Sequence, residues 1–203
     1  MDDPTYRDVG TGKPDSLERL WAPYRMSYIA EDVTERHCED VSAEETDEAG
    51  SKDPFLQIPK CSDEEGLIVA RGEHCFICLN LYPYNPGHSM VIPYRKVANY
   101  EDLTEEELFE LAVMTQQLIR VIRQVSSPDA FNVGFNLGTG AGGSVSDHLH
   151  QHVVPRWVGD ANFITLFGST KVLPQTLQKT RELLAAEWQR QETEQGSHSK
   201  ETK

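Results

Sequence analysis

The 203-residue chain has no apolar run approaching the ~18 residues that a membrane-crossing helix needs. It is short of positive charge: 19 Lys and Arg stand against 33 Asp and Glu, a formal charge of −14. That balance argues against tracking a nucleic-acid backbone or resting on an anionic membrane. Only four cysteines are present, Cys38, Cys61, Cys75 and Cys78, too few for a disulfide scaffold. They are expected to be free thiols in a cytoplasmic protein. The opening Met1-Asp2-Asp3-Pro4 is acidic and is not followed by an apolar h-region, so no secretory signal is expected. Core-forming material is not lacking. With 38% hydrophobic residues, wholesale disorder is excluded, and the length suits one domain with extensions.

The negative charge is concentrated. Between Glu31 and Asp53 stand ten acidic residues and two basic ones, so this stretch alone carries −8. Its poverty in large apolar residues marks residues 31–54 as a mobile excursion unrelated to catalysis. Ahead of it, residues 1–15 read as a flexible terminus, and Asp15 or Ser16 caps a short helix that Pro23 interrupts. Beyond it, 67–70 and 74–82 are apolar runs of strand length, 83–87 is a turn cluster, and 88–94 is a further strand. Thr104 with Glu107 forms a capping box opening a helix from Glu105 to about Val125. A strand over 130–137, a glycine-rich loop over 138–143 and a strand over 148–154 follow. A second helix over about 175–191 closes the domain, 16–192, leaving 193–203 as a disordered tail.

The densest chemistry is His148-Leu-His-Gln-His-Val-Val154. On a strand, alternate side chains share a face, which aligns His148, His150 and His152 at roughly 6–7 Å intervals. A row of semi-polar rings is an inefficient core, so packing alone explains it poorly. Metal ligation and nucleophilic attack on phosphorus both suit imidazole. The loop before it, with Gly138, Gly140, Gly142, Gly143 and the hydroxyls of Ser144 and Ser146, favours an anion beside the row. No carboxylate belongs to the imidazole-bearing face, since Asp147 falls on the opposite one. Cys75 and Cys78 invite a zinc or redox reading. Positions i and i+3 of a strand face opposite sides, which argues against it.

These residues resemble the histidine triad pattern, His-φ-His-φ-His-φ-φ, of nucleotidyl hydrolases and transferases. Gln151 departs from it by being polar. The segments 80–93 and 136–144 are similar to the family's first hairpin and phosphate loop. The segments 20–28, 160–164 and 171–174 resemble its diadenosine tetraphosphate phosphorylase branch. The resemblance implies an α+β fold, an antiparallel sheet with helices on one face, with two subunits joining sheets across a homodimer or within a higher homo-oligomer.

It also implies roles. His150 is the nucleophile and must be neutral; His152 contacts phosphate oxygens; His148 orients the row or assists the leaving group; His88 is the family's fourth histidine. Asn80, Asn136, Gly142, Gly143 and Ser144 would bind substrate, and Trp157 would stack on a base, with Arg156 as a further phosphate neighbour. The implied reaction is phosphorolysis of a dinucleoside polyphosphate by inorganic phosphate through an AMP-His150 intermediate. It requires no cofactor, and Mg²⁺ enters only as a companion of the substrate. Hydrolysis by a relative of the same superfamily, a zinc hydrolase and a non-catalytic nucleotide sensor are the alternatives that the motif leaves open.

Overall fold

The computed structural model describes residues 53–141, 145–160 and 173–201, with side chains through 194. Five strands form one antiparallel sheet: β1 (Ile68–Arg71), β2 (Cys75–Leu79), β3 (Ser89–Pro93), β4 (Ala130–Phe135) and β5 (Gln151–Arg156), in the order β1-β2-β3-β5-β4. Among the described residues three α-helices accompany it: α1 (Pro54–Gln57), α2 (Glu105–Ser126) and α3 (Leu177–Glu201). Among the described residues no helix is long and apolar enough to cross a membrane.

Strands β2 and β3 are buried at every position, which explains why they read as unbroken apolar runs rather than alternating ones. Odd-numbered side chains of β2, Cys75, Ile77 and Leu79, pack with Leu111, Met114, Leu118 and Ile122 of α2 and Leu184 and Trp188 of α3. The opposite face buries Phe76, Cys78, Met90 and Ile92 under Phe55 and Ile58. Both long helices therefore cover one face, as the resemblance implies. The two thiols Cys75 and Cys78 fall in separate core clusters on opposite faces, as strand geometry requires.

Helix α2 begins as its sequence dictates. Thr104 accepts from the Glu107 N–H, and the Glu107 carboxylate accepts from the Thr104 N–H while also holding Arg95. One turn on, Glu110 accepts the backbone N–H groups of Glu73, His74 and Cys75 at 2.8, 2.5 and 2.6 Å, pinning the β1–β2 turn to the helix. A Cβ at Gly72 would lie 2.6 Å from that carboxylate. Gly72→Ala is accordingly expected to cost about 1–3 kcal/mol through overpacking, read as a lower denaturation midpoint with an unchanged slope.

Several expectations change. The strand expected over 148–154 begins three residues later, at Gln151. Helix α3 runs to Glu201 instead of ending near Gln191, so the tail expected from 193 is helical at least to that point. Arg190 pairs with Glu187 and Glu194, spacings that support a solvated helix. Cys75 and Cys78 are buried free thiols as expected, whereas Cys61 is disulfide-bonded. Asp53 and Pro54, assigned to the mobile excursion, are fixed: Asp53 is buried, and its Oδ1 caps α1 by accepting from Phe55 N–H at 2.9 Å. The rest of the excursion and the expected helix after Ser16 lie outside the described residues.

Candidate active site

The site lies on the sheet face that the long helices leave open. His152 is the one triad residue on a strand, paired with Met90 of β3 and with Gly134 of β4. His150 and His148 precede the strand. The His150 and His152 ring centroids are 4.9 Å apart. Gln151 points to the other face, where its amide oxygen accepts from the Thr115 hydroxyl of α2. A polar residue at a nominally apolar position is thus explained by a polar partner on the helix.

His88 arrives from the 80–88 loop. Asn80 Oδ1 accepts from Tyr82 N–H at 2.9 Å, and Gly87 takes φ 77°, a left-handed conformation that glycine adopts freely. His88 is 1% exposed, so it is not a solvated strand-edge residue. Its Nδ1 accepts from Tyr84 N–H at 3.1 Å, which leaves the proton of the neutral ring on Nε2. That N–H donates to His152 Nδ1 at 2.9 Å. His152 therefore keeps its own proton on Nε2, a donor suited to a phosphate oxygen; the Asn136 Nδ2 3.4 Å away is itself a donor and does not take that proton. Burial pushes the His88 pKa down to about 3, aided by repulsion from His152 and His150.

His150 is fixed differently. Its Nδ1 lies 2.9 Å from the carbonyl oxygen of His148, an acceptor, so Nδ1 carries the proton and Nε2 holds the lone pair. No protein group among the described residues is recorded against Nε2. Burial lowers the His150 pKa, only partly countered by that carbonyl bond, which keeps the ring neutral. The acidic limb of activity should consequently fall below the ordinary histidine value of about 6.5.

His148 is fully buried, and both nitrogens are committed: Nδ1 lies 2.8 Å from Asp53 Oδ2 and Nε2 2.9 Å from Pro93 O. It can orient the row, but it is not placed to assist a leaving group. A carboxylate does reach the row, and it comes from Asp53, not Asp147, whose side chain pairs with Lys96. Burial alone would raise the Asp53 carboxyl; the His148 N–H and charge, Phe55 N–H and Lys96 outweigh it and hold it below the usual range. Phe55 seals the pair, its ring 5.5 Å from His148 and 4.8 Å from His150.

These shifts predict acid sensitivity. Unfolded His88 binds a proton near pH 6.5 and folded His88 only near 3, so the unfolded state holds more protons between those values. Stability should decline as pH falls through that window, and more steeply in its lower part, where depressed Asp53 adds its loss. Urea titrations at stepped pH should show this decline, and His88→Asn should flatten it.

From His152 a cleft of about 440 Å³ runs along the β4–β5 ladder, lined among others by Asn136, Gly134, Asn132, Val154, Tyr84 and Arg156. At its far end Arg156 grips Asp160 at 2.6 and 3.0 Å and Asn132 at 2.7 Å. Asp160 also accepts from Asn85 and from Trp157 N–H, and the Arg156 bond holds its carboxyl well below the carboxylate range. Arg156 is thus committed to a carboxylate.

Among the expected substrate-binding residues, Asn136 stands at the cleft, whereas the Asn80 side chain shapes the loop. Trp157 is half-buried and not among the described lining residues. Gly142, Gly143 and Ser144 lie outside the described residues. Sequence reasoning missed Asp53, Phe55, Tyr84, Asn85 and Asp160. Asp before Pro54 is a helix-start signal that could have found the first. Among the described residues no group of three or more His, Cys, Asp or Glu side chains is placed to hold a metal ion.

Comparison with known proteins bears on the same residues. The model of the HIT domain matches residues 62–158. AP-4-A phosphorylase of Mycobacterium tuberculosis H37Rv is 57% identical over 190 residues, 94% of each chain. The asymmetrical bis(5'-nucleosyl)-tetraphosphatase of Schizosaccharomyces pombe is 42% identical over 82 residues, 40% of this chain and 44% of that one. A hypothetical histidine triad nucleotide-binding protein of Sulfolobus tokodaii superposes with a TM-score of 0.56 at 28% identity, covering 68% of this chain and 93% of that one. With the four clustered histidines and the matched domain in agreement, the chain belongs to the histidine triad (HIT) family.

Proposed function

We propose that the protein is a nucleotidyltransferase that phosphorolyses diadenosine tetraphosphate to ATP and ADP. The geometric observation that carries the reading is the His150 Nδ1–H bond to the His148 carbonyl, which turns the Nε2 lone pair into the available nucleophile. The similarity to AP-4-A phosphorylase over nearly the whole chain supports the choice of substrate and of phosphate as acceptor.

In the first step Nε2 attacks the α-phosphorus. The bond from that phosphorus to the bridging oxygen breaks, and ATP leaves. The new imidazolium retains its Nδ1 proton, whose bond to the carbonyl strengthens as the ring becomes cationic. His152 Nε2–H donates to the developing charge on the equatorial oxygens, with Ser144 and the glycine-rich loop as further donors. An oxygen of inorganic phosphate then attacks the same phosphorus, the N–P bond breaks, and ADP forms with His150 neutral again.

Two subunits are proposed to join through β4, a sheet edge that among the described residues pairs with β5 alone and whose Val133 is 43% exposed. Product analysis tests the reaction. ATP and ADP in equal amounts, with turnover dependent on phosphate, support it. Phosphate-independent release of AMP assigns hydrolysis instead. Ser144→Ala should raise the apparent phosphate constant about ten- to hundredfold, the worth of one donor to a charged oxygen, with less effect on nucleotide affinity.

A further inference from the structure

The groups that hold the triad in place come partly from outside the matched domain. Asp53 and Phe55 both precede residue 62, where the HIT match begins. We propose that Asp53 is a positioning residue for the nucleophile, acting through His148, so that the working site includes the segment ahead of the HIT domain. This rests on the nucleotidyl-transfer reading above.

The chain of contacts is short. Asp53 divides its carboxylate oxygens: Oδ1 caps α1 through Phe55 N–H, and Oδ2 faces His148 Nδ1. His148 thus lies between two acceptors, the carboxylate and the Pro93 carbonyl, and bonds both when each ring nitrogen carries a proton. Its own carbonyl is what fixes the His150 tautomer. This clamp matters because residues 148–150 precede the β5 ladder, and their recorded backbone bond is Leu149 N–H to Val97 O at 2.7 Å. The His148 side chain thus does for its carbonyl what strand pairing does elsewhere in the sheet. Phe55, two residues from Asp53, lays its ring against His150 and excludes water from that side. The segment delivers one polar and one apolar constraint to adjacent members of the triad. Lys96 Nζ, 3.8 Å from Asp53 Oδ2, adds a positive charge beside the carboxylate.

Two substitutions in the full-length protein separate this role from helix capping. Asp53→Asn keeps an oxygen for Phe55 N–H but replaces the His148-facing oxygen by an amide nitrogen. Asp53→Ser keeps the cap and loses the reach to His148. With diadenosine tetraphosphate in a single turnover, both should transfer AMP to His150 about ten- to hundredfold more slowly, the worth of a lost charge-assisted hydrogen bond. Affinity for a non-hydrolysable analogue should stay within about threefold, since only the nucleophile's orientation is disturbed. Imidazole nitrogen NMR of the ligand-free protein should find His150 purely Nδ1–H in the wild type and mixed in the variants. Native rates with a native tautomer would overturn the proposal, as would a rate loss matched by an equal loss of affinity. If the wild type itself forms no AMP-His150, nucleotidyl transfer fails, and the ligand-free tautomer still decides the role of Asp53.

Discussion

His150→Ala is expected to abolish AMP transfer while the protein continues to bind dinucleotide. Attack on phosphorus needs the Nε2 lone pair, and neither of the other two triad imidazoles is equivalently placed. His148 has both nitrogens engaged, and His152 spends its Nδ1 on His88. Loss of a covalent nucleophile lowers kcat by roughly 10⁴-fold or more, whereas groups that bind phosphate and base remain. Truncating the buried ring leaves space beside Phe55, for a stability cost of about 1–3 kcal/mol, which a folded domain of this size tolerates. Single-turnover transfer and equilibrium binding of an analogue check the two halves separately. Near-native turnover would remove His150 from its role.

His88→Ala should damage both stability and transfer, less severely for transfer and for a different reason. The ring links Tyr84 N–H to His152 Nδ1, and its removal leaves a partly buried donor and a partly buried acceptor without their partner. The expected destabilisation is about 2–4 kcal/mol, the sum of a cavity and unpaired polar groups. Freed from His88, His152 interconverts between tautomers, and the fraction carrying an Nε2–H falls. Transfer should slow about a hundredfold, as expected when an oriented donor to a charged oxygen is lost. Thermal denaturation gives the first quantity and single-turnover kinetics the second. His88→Asn, which retains some polar capacity, should fall between the wild type and Ala in both.

Much of the fold was legible because the signals were local. The capping box of Thr104 and Glu107 starts α2 where it reads, and the apolar runs of β2 and β3 are central strands. The triad residues were also legible, but not the manner of their support. Strand alternation placed all three imidazoles on one face. In the folded chain two of them precede β5, and His148 is turned into the interior by Asp53 and Pro93. Asp53 was hidden by the company it keeps: counted with nine other acids it looked like solvated charge. Its burial depends on a contact with a residue 95 positions away, which no local pattern carries. Gln151 is the converse case, a departure that becomes sensible only once Thr115 of α2 lies opposite. Helix α3 continues past Gln191, where Arg190 pairs with Glu194, a stretch that composition alone reads as a polar tail.

The proposed phosphorolysis turns on an AMP-His150 adduct that phosphate, and not water, resolves. The most direct measurement is a chase. Protein is mixed with diadenosine tetraphosphate labelled at the α-phosphorus, the labelled protein is isolated from free nucleotide, and the label is mapped by peptide analysis. The sample is then divided between buffer with and without inorganic phosphate. The predicted result is a label on His150 that stays bound in buffer and is released promptly as ADP when phosphate is added. Label released as AMP at the same rate in both halves would contradict phosphorolysis. Label on any residue other than His150 would contradict the assigned nucleophile.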